Sequence, residues 1–243
     1  MINIQFPDGS KRAYEKGSTP LIIAQSISEG LARNVLSAQF NRQVIEPYTP
    51  LEEDGQITLY TWNDKEGKTA FWYSSAHVLA QALLDLYPHC KLTIGPAIEN
   101  GFYYDVDFGH ETLTEKDLIA VEKKFIEFAR QKSEFKIRQS SKAEALAYYK
   151  KRENPYKVEL IENLEDGTIT FCDHADFTDL CRGGHIPHTG FIKAVKLLNV
   201  AGAYWRGDIK KPQLTRVYGI SFPKQKELNE YLELVELAKQ RDH

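Results

Sequence analysis

The sequence predicts an α+β protein made of a small unit, a larger α/β unit and a C-terminal helix. In the N-terminal quarter, short runs of alternating apolar and polar residues surround a single helical pattern. The middle of the chain contains longer helical patterns and one strongly alternating strand, and the last stretch repeats apolar residues at helical spacing. A length of 243 residues fits one or two domains of roughly 150 residues each.

The composition excludes several classes of protein. Apolar residues make up 42% and charged residues 27%, a balance that argues against disorder and against collagen. The net charge of −3 provides no global basic field for nucleic acid or membrane, although RNA binding needs only a local basic face. Three cysteines are too few and too odd in number for a disulfide framework, and neither a signal peptide nor a membrane-length apolar run is present. We therefore predict a soluble protein of a reducing compartment.

Residues 1–62 are predicted to form the small unit. Ile2–Phe6 alternates apolar and polar residues as a strand does, and turn residues lead into a returning strand over Lys11–Tyr14. Thr19-Pro20 is a typical helix start, and Gly30 is near the expected end of that helix. The remaining elements of this unit are short strands over 35–40, 43–45 and 56–62. Because no pair of catalytic side chains stands out, we interpret the unit as a grasp-like module for stability or docking.

Residues 63–224 are predicted to form the larger unit. Lys65–Lys68 is expected to be a polar hinge, and Ser74 and Ser75 are candidate N-caps for a helix that runs to about Tyr87. Asn154-Pro155 is expected to break the chain, and residues 225–243 should form a helix. The other predicted elements are helices over 114–132 and 142–151 and strands over 101–108, 135–138, 169–172, 190–195 and 214–220.

Three places in the larger unit could carry chemistry. Cys181 and His185 lie four residues apart in a glycine-containing loop, where they could bind zinc, form a nucleophile–base pair or position a water. His77 lies near the expected start of its helix, where a helix N-terminus favours the neutral imidazole. Lys157 follows the Pro155 break and could stabilise a phosphate or an oxyanion.

Each candidate also has an ordinary structural interpretation. A cysteine and a histidine without a second pair are a weak zinc signal, because structural sites generally use four ligands. His77 taken alone is typical of a polar helix residue, Lys157 taken alone is typical of a solvated surface, and Tyr104 fits the alternation of its strand. The remaining histidines with weaker claims are His89, His110, His174 and His188.

Four segments of the larger unit resemble threonyl-tRNA synthetases of the bacterial type. These segments are Ser74–Ala82, Ile94–Asp105, Asp179–His185 and Gly202–Asp208. They follow the order of that family, and the resemblance extends over the whole chain. It implies that residues 1–62 are a ubiquitin-like TGS domain and that residues 63–224 are an editing domain. It further implies that residues 225–243 begin a linker helix into a class II catalytic core that this sequence lacks.

The resemblance implies that the larger unit hydrolyses mischarged seryl-tRNA(Thr). Serine lacks only the methyl group of threonine, a difference worth about 1–3 kcal/mol in a binding pocket, so faithful translation needs a second, hydrolytic site. The catalytic residues carried over from the family are His77, Lys157, Asp179, Cys181 and His185, and the substrate-binding residues are Tyr73 and Tyr104.

These residues suggest a water-based mechanism without a metal. His77 and His185 would orient the water and the terminal ribose, Asp179 would bind the serine amine, and Lys157 would stabilise charge. Cys181 would shape the pocket without forming an acyl-enzyme. Where the family has a histidine four residues before His77, this chain has Tyr73, which removes a four-ligand His/His/Cys/His zinc site. We expect no cofactor in these residues.

The resemblance also leads to expectations about the whole enzyme. The partner of the editing site would be the 3′ end of tRNA(Thr), with no membrane involved, in a cytoplasmic protein. Zinc, ATP and magnesium would belong to the absent catalytic core, through which the complete enzyme would form a homodimer. Three alternatives stay open: a free-standing deacylase acting in trans, an RNA- or partner-binding module with a vestigial site, and a zinc hydrolase, which the ligand count disfavours.

Overall fold

The small unit is built on a five-stranded mixed sheet. The computed structural model describes residues 1–243 and confirms the predicted α+β class. The elements of the small unit are β1 (Ile2–Gln5), β2 (Lys11–Tyr14), α1 (Pro20–Ile27), α2 (Glu29–Asn34), β3 (Ser37–Phe40), β4 (Gln43–Ile45) and β5 (Gly55–Tyr60). The strand order is β2-β1-β5-β3-β4, in which β1 and β5 are parallel and the other pairs are antiparallel. Ile4, Ile23 and Ile57 are fully or almost fully buried in its core.

The single helix predicted in the small unit is two helices. The backbone of Ser28 is extended, with φ −166° and ψ 153°, and this ends α1. The Ser28 hydroxyl then accepts a hydrogen bond from the Leu31 amide and caps α2. Gly30 is therefore the second residue of α2 and does not end a helix, because Ser28, which caps α2, separates the two helices.

The larger unit combines two antiparallel sheets with four helices, and a fifth helix ends the chain. Its elements are α3 (Lys65–Leu86), β6 (Lys91–Leu92), β7 (Ala97–Ile98), β8 (Gly101–Asp107), α4 (Leu118–Ala129), β9 (Lys136–Gln139), α5 (Lys142–Lys151), α6 (Pro155–Glu162), β10 (Thr170–His174), β11 (Phe177–Leu180), β12 (Ala194–Tyr204), β13 (Gln213–Phe222) and α7 (Gln225–Arg241). One sheet has the order β12-β13-β8-β6, with β7 also paired to β8, and the other has the order β11-β10-β9. The described helices include none with the length and apolar character that a membrane span requires.

Helix α3 begins earlier than the sequence predicts. Lys65–Lys68 is its first turn, so the expected polar hinge is wrong, and the N-cap position is occupied by Asp64. Ser74 and Ser75 are fully buried in the middle of the helix and cap nothing. The Ser75 hydroxyl donates to the backbone carbonyl of Phe71, so the helix itself satisfies this polar group. The sequence prediction placed the start of α3 too late because its first turn is as polar as a linker, whereas its middle is buried.

The segment after α5 also differs from the prediction. Asn154 does not simply break the chain, because its side chain accepts the Lys157 amide and caps the unpredicted helix α6. The strand expected over 190–195 begins only at Ala194, after a 3-10 turn over Thr189–Phe191. The predicted C-terminal helix is present as α7. The unit boundary at residues 62 and 63 stays a prediction.

Candidate active site

A cavity of about 310 Å³ in the larger unit collects most of the residues singled out from the sequence. Its wall includes five of the seven predicted site residues: Tyr73, His77, Tyr104, Lys157 and Asp179. The other two, Cys181 and His185, are not part of the wall. The cavity therefore lies where α3, β8, α6 and β11 meet, and sequence reasoning had already named one or two side chains from each of these elements.

Helix α6 is anchored so that Lys157 faces inward. Asn154 caps the helix and also donates through its side-chain amide to the Leu92 carbonyl at 2.9 Å. Tyr156 donates its hydroxyl to Asp107 at 2.6 Å and packs edge-on against Trp205 at 5.1 Å between ring centroids. The Gly202–Asp208 segment thus supports the helix that carries Lys157. Lys157 itself is 2% exposed, so the interpretation of a solvated surface lysine is wrong.

Lys157, Asp179 and Tyr104 form a buried network on one side of the cavity. The Lys157 ammonium contacts Oδ1 of Asp179 at 2.8 Å, and Oδ2 accepts the Tyr104 hydroxyl at 2.7 Å. Lys157 Nζ also donates to the Thr93 carbonyl at 2.5 Å and to the Tyr104 oxygen at 3.2 Å, which engages all three of its protons. Burial first, and then the Asp179 charge, raises the pKa of Tyr104 well above its ordinary value, so its hydroxyl stays a donor.

The carboxylate of Asp179 is almost saturated with donors. Besides Lys157 and Tyr104, it accepts the Leu180 amide at 2.9 Å and the Tyr149 hydroxyl at 3.3 Å, both on Oδ1. Oδ2 accepts only Tyr104 and so has room for one further donor. This single acceptor position is the place where the network could take a ligand cation.

A chain of three side chains sets the tautomer of His77. The Gln81 carbonyl oxygen can only accept, so His174 donates to it through Nε2 at 2.6 Å. Burial, then repulsion from His185, lowers the pKa of His174 to about 3, so its ring is neutral and its Nδ1 carries a lone pair. His77 therefore donates through Nδ1 to Nδ1 of His174 at 2.7 Å, and its own Nε2 holds the free lone pair.

His77 is neutral for a different reason from the one expected. It lies in the middle of α3, far from the helix N-terminus that the sequence argument invoked. Burial lowers the pKa of His77 well below its ordinary value, and the neighbouring His174, His185 and Lys157 lower it further. Its Nε2 is buried and has no hydrogen-bond partner in the protein. The lone pair is thus available to a proton donor or a Lewis acid.

His185 is held between two aromatic rings beside the cavity. It stacks on Tyr73 at 4.6 Å between centroids and 4° between planes, and on Phe135 at 4.7 Å and 14°. Its Nδ1 lies 2.9 Å from the Ser74 hydroxyl, and its Nε2 lies 3.1 Å from the Cys181 sulfur. Tyr73 belongs to the cavity wall, and His185 stacks on it from outside the wall.

The surroundings of Cys181 favour the thiolate form of its side chain. The pKa of Cys181 is lowered to about 4, first by the neighbouring Cys172 thiol and then by His185, although burial acts in the opposite direction. The Gly183 amide also donates to its sulfur at 3.1 Å. The thiolate is not part of the cavity wall, an arrangement that favours a supporting role over an acyl-enzyme.

The loop that joins Cys181 to His185 is fastened to the small unit. Gly183 and Gly184 have φ of 93° and 88°, a region that favours glycine. The Gly184 amide donates to Oε1 of Glu46 at 2.6 Å, and a Cβ on Gly183 would lie 2.5 Å from the same oxygen. The small unit therefore contributes one acceptor to the geometry of the site.

Sequence reasoning missed Cys172 and His174. Both are on β10, two residues apart, so their side chains lie on the same face of the strand. His174 fixes His77, and the ligand atoms of Cys172, His77 and His185 all lie within 4.8 Å of one another. The alternation of β10 could have indicated that the two residues share a face, but not that this face meets α3.

Two domain families match the chain. Residues 2–61 match the TGS domain, and residues 169–218 match the second additional domain of threonyl and alanyl tRNA synthetases. Across all 243 residues the chain is 65% identical to a threonine--tRNA ligase of Flavobacterium johnsoniae and 63% identical to that of Flavobacterium psychrophilum. It is 57% identical over the same length to the threonine--tRNA ligase of Cytophaga hutchinsonii.

Over its own whole length the chain matches part of these threonine--tRNA ligases. The matches confirm that a TGS domain is followed by an editing-type domain, as the sequence motifs predicted. The chain spans 37% of the length of the two Flavobacterium ligases and 38% of the Cytophaga ligase.

Proposed function

We infer that the cavity of the larger unit hydrolyses the ester bond of seryl-tRNA(Thr). The observation that carries this proposal is the pairing, in one cavity wall, of a neutral histidine that has a free lone pair with a buried lysine–aspartate–tyrosine network. The similarity to threonine--tRNA ligases suggests the substrate class, because a ligase for threonine must remove serine, which differs by one methyl group.

Water attacks the carbonyl carbon of the ester, and the bond from that carbon to the ribose oxygen breaks. Nε2 of His77 accepts a hydrogen bond, and then a proton, from the water. The serine ammonium takes the remaining acceptor position on Oδ2 of Asp179. The buried Lys157 ammonium stabilises the developing negative charge through space, because its three protons are already engaged.

Cys181 and His185 act as positioning residues in this proposal. Together with Phe135, the His185 ring holds Tyr73 flat against one side of the wall, and the Cys181 sulfur holds His185 through Nε2. Their loss is expected to change the rate through the placement of Tyr73 and His77. Neither residue exchanges a proton or a bond with the substrate.

The decisive experiment is deacylation of seryl-tRNA(Thr) by the chain in the presence of a metal chelator. We expect release of serine, with threonyl-tRNA(Thr) spared, and a loss of about 100-fold or more in the His77→Ala variant. Loss of activity on chelation with recovery on adding zinc would overturn the metal-free mechanism. Binding of tRNA without hydrolysis would favour the alternative of an RNA-binding module.

For the complete protein we propose the ligase activity named in its relatives. It attaches threonine to tRNA(Thr) with ATP, and the present residues supply hydrolytic correction. A free-standing deacylase remains the second candidate, because the site described here is complete within the chain. Threonine-dependent aminoacylation by the full-length gene product separates the two.

A further inference from the structure

Arg182 is a charged residue of the cavity wall that the hydrolysis described above does not use. It belongs to the loop after β11 and lies in the same wall as Lys157 and Asp179. Those two side chains are buried, whereas Arg182 is exposed. Arg182 is therefore at the rim of the cavity, where a substrate larger than the cavity passes from the site to the protein surface.

The guanidinium of Arg182 has no anionic partner in the protein. Lys157 and Asp179 neutralise each other at 2.8 Å, and the pKa of His77 is lowered, so its ring is neutral. The charge of Arg182 is thus the one charge of the wall without a counter-ion, and all five N–H donors of its side chain are free to bind an anion. Other arginines of the larger unit do form ion pairs with carboxylates: Arg138, Arg206 and Arg216.

The main chain is held on both sides of Arg182. The Cys181 amide donates to the Thr170 carbonyl at 3.0 Å, and the Gly183 amide donates to the Cys181 sulfur at 3.1 Å. These hydrogen bonds fix the point from which the arginine side chain extends. Less conformational entropy is therefore lost when the guanidinium binds an anion at the rim.

We propose that Arg182 binds the phosphate that joins the terminal nucleotide of the tRNA to the preceding one. A cavity of about 310 Å³ is at the lower end of the range of about 300–1,000 Å³ found for pockets that hold one small ligand. It accommodates the aminoacyl group and its nucleoside, so the rest of the RNA lies outside. The first charged group of the RNA backbone outside the cavity is a phosphate, whose oxygens match the planar fork of a guanidinium.

This assignment rests on the proposed function, from which it takes the substrate. The aminoacyl end of the tRNA carries two charges, the serine ammonium and the first phosphate. Asp179 binds the ammonium inside the cavity, and Arg182 binds the phosphate at the rim. Each charge of the substrate thus meets an opposite charge of the wall, and the ester bond is positioned between them.

The test compares the binding of two non-hydrolysable analogues to the full 243-residue chain by calorimetry. In both, serine is joined by an amide to the 3′ position of adenosine, and one also carries a 5′-phosphate. We expect the phosphorylated analogue to bind about tenfold more tightly or better, because a hydrogen bond to a charged group forms. Arg182→Ala should abolish this preference and leave the affinity for the unphosphorylated analogue unchanged. Arg182→Lys should keep part of it, because it preserves the charge without the fork.

Arg130→Ala is the matched control, since Arg130 is an exposed arginine of the same unit outside the cavity wall. It should show the same preference for the phosphorylated analogue as the unaltered chain. Equal affinities of the unaltered chain for the two analogues, or a preference that survives in Arg182→Ala, would overturn the assignment and leave the proposed function intact. If neither analogue binds, the cavity is not the site of the seryl end, and the proposed function fails together with the assignment.

Discussion

At the residue scale, the cavity wall depends most on the ion pair between Lys157 and Asp179. The two side chains are 3% and 7% exposed, and the ammonium and carboxylate lie 2.8 Å apart. Removing one charge from such a pair leaves the other buried without compensation, which is more costly than never having buried either. The pair therefore holds α6 to the end of β11 as firmly as it shapes the cavity.

The Asp179→Asn variant tests this contact through stability. We expect the free energy of unfolding to fall by about 3–5 kcal/mol, because the Lys157 ammonium stays buried without its counter-charge. Urea denaturation measures the change. Asp176→Asn is the matched control, since Asp176 is exposed three residues earlier in the chain, and it should shift the free energy by less than about 0.5 kcal/mol. Equal shifts in both variants would contradict the argument.

Tyr73 lies at the position where the resemblance leads us to expect a histidine. Its ring lines the cavity and stacks on His185, and burial raises the pKa of its phenol, so the hydroxyl cannot act as a base near neutral pH. Tyr73→His would add an imidazole to the wall, and a positioned base typically contributes about 10²–10⁴-fold to a rate. We expect deacylation of seryl-tRNA(Thr) to rise by about 10-fold or more. Tyr73→Phe keeps the ring without a base, so a rise of the same size in that variant would contradict the explanation.

At the element scale, α3 is joined to the small unit by a close backbone approach. A Cβ added at Gly67, in the first turn of α3, would lie 2.0 Å from the carbonyl oxygen of Thr61. Only glycine permits this approach without moving backbone. The segment interpreted from the sequence as a hinge is thus a tight junction.

Two glycine-to-alanine variants measure the junction. Gly67→Ala should lower the free energy of unfolding by about 1–3 kcal/mol, because overpacking displaces the backbone. Gly30→Ala, in α2, meets nothing within 4 Å and should instead raise it by about 0.4–1 kcal/mol through the unfolded state. Thermal or urea unfolding measures whether each variant is less or more stable than the unaltered chain. A stable Gly67→Ala chain would show that α3 is not tightly joined there.

The 3-10 turn before β12 carries a pH-sensitive cap. Nδ1 of His188 accepts the Gly190 amide at 3.0 Å, and burial first, then Lys132 and Lys193, lowers the pKa of His188. As pH falls below about 6.5, the unfolded chain binds a proton that the folded chain does not, so the free energy of unfolding decreases. The contribution is present above the unfolded pKa and is lost on acidification.

The His188→Asn variant isolates this effect. Asparagine can cap the same amide but does not titrate, so its stability should fall less than that of the unaltered chain between pH 7 and pH 5. The buried histidines His77, His174 and His185 contribute equally to both chains and cancel in the comparison. If the two chains lose the same free energy of unfolding between pH 7 and pH 5, the pH-sensitive cap is not at His188.

Local patterns in the sequence were sufficient for most elements but not for their contacts. The hairpin of β1 and β2, the strand β8 and the helix α5 follow from alternation and capping, which are properties of neighbouring residues. The inward orientation of the Lys157 side chain could not be predicted, because it depends on the hydrogen bond that the Asn154 side chain donates to the distant Leu92 carbonyl. The positions of Cys172 and His174 beside His77 likewise come from the packing of β10 on α3, which no spacing in the sequence encodes.

At the scale of the whole molecule, the small unit contributes to the site of the larger one. Glu46 follows β4 of the TGS domain and accepts the Gly184 amide in the loop between Cys181 and His185. A hydrogen bond to a charged group contributes about 1.5–3 kcal/mol. This hydrogen bond joins the two units. Its two residues are 138 positions apart in the sequence.

Glu46→Ala tests the coupling between the units. We expect the Gly184 amide to exchange with solvent about tenfold faster or more, because its acceptor is lost, and deacylation to slow as the loop loosens. Hydrogen exchange read by NMR measures the first effect. Glu52→Ala, an exposed change in the same unit, should leave the exchange of Gly184 unaltered. Unchanged exchange in Glu46→Ala would show that the loop is held by the larger unit alone.

The line of side chains from His77 through His174 to Gln81 also decides where a proton can travel. A proton taken up at Nε2 of His77 can release the one on Nδ1 to His174, but Gln81 has no basic atom to carry it further. A proton therefore cannot pass from His77 to solvent along these side chains. In the proposed hydrolysis, a proton drawn from water must leave through the same nitrogen by which it entered, and the departing ribose oxygen would accept it. One imidazole would then serve in turn as base and acid within a single turnover.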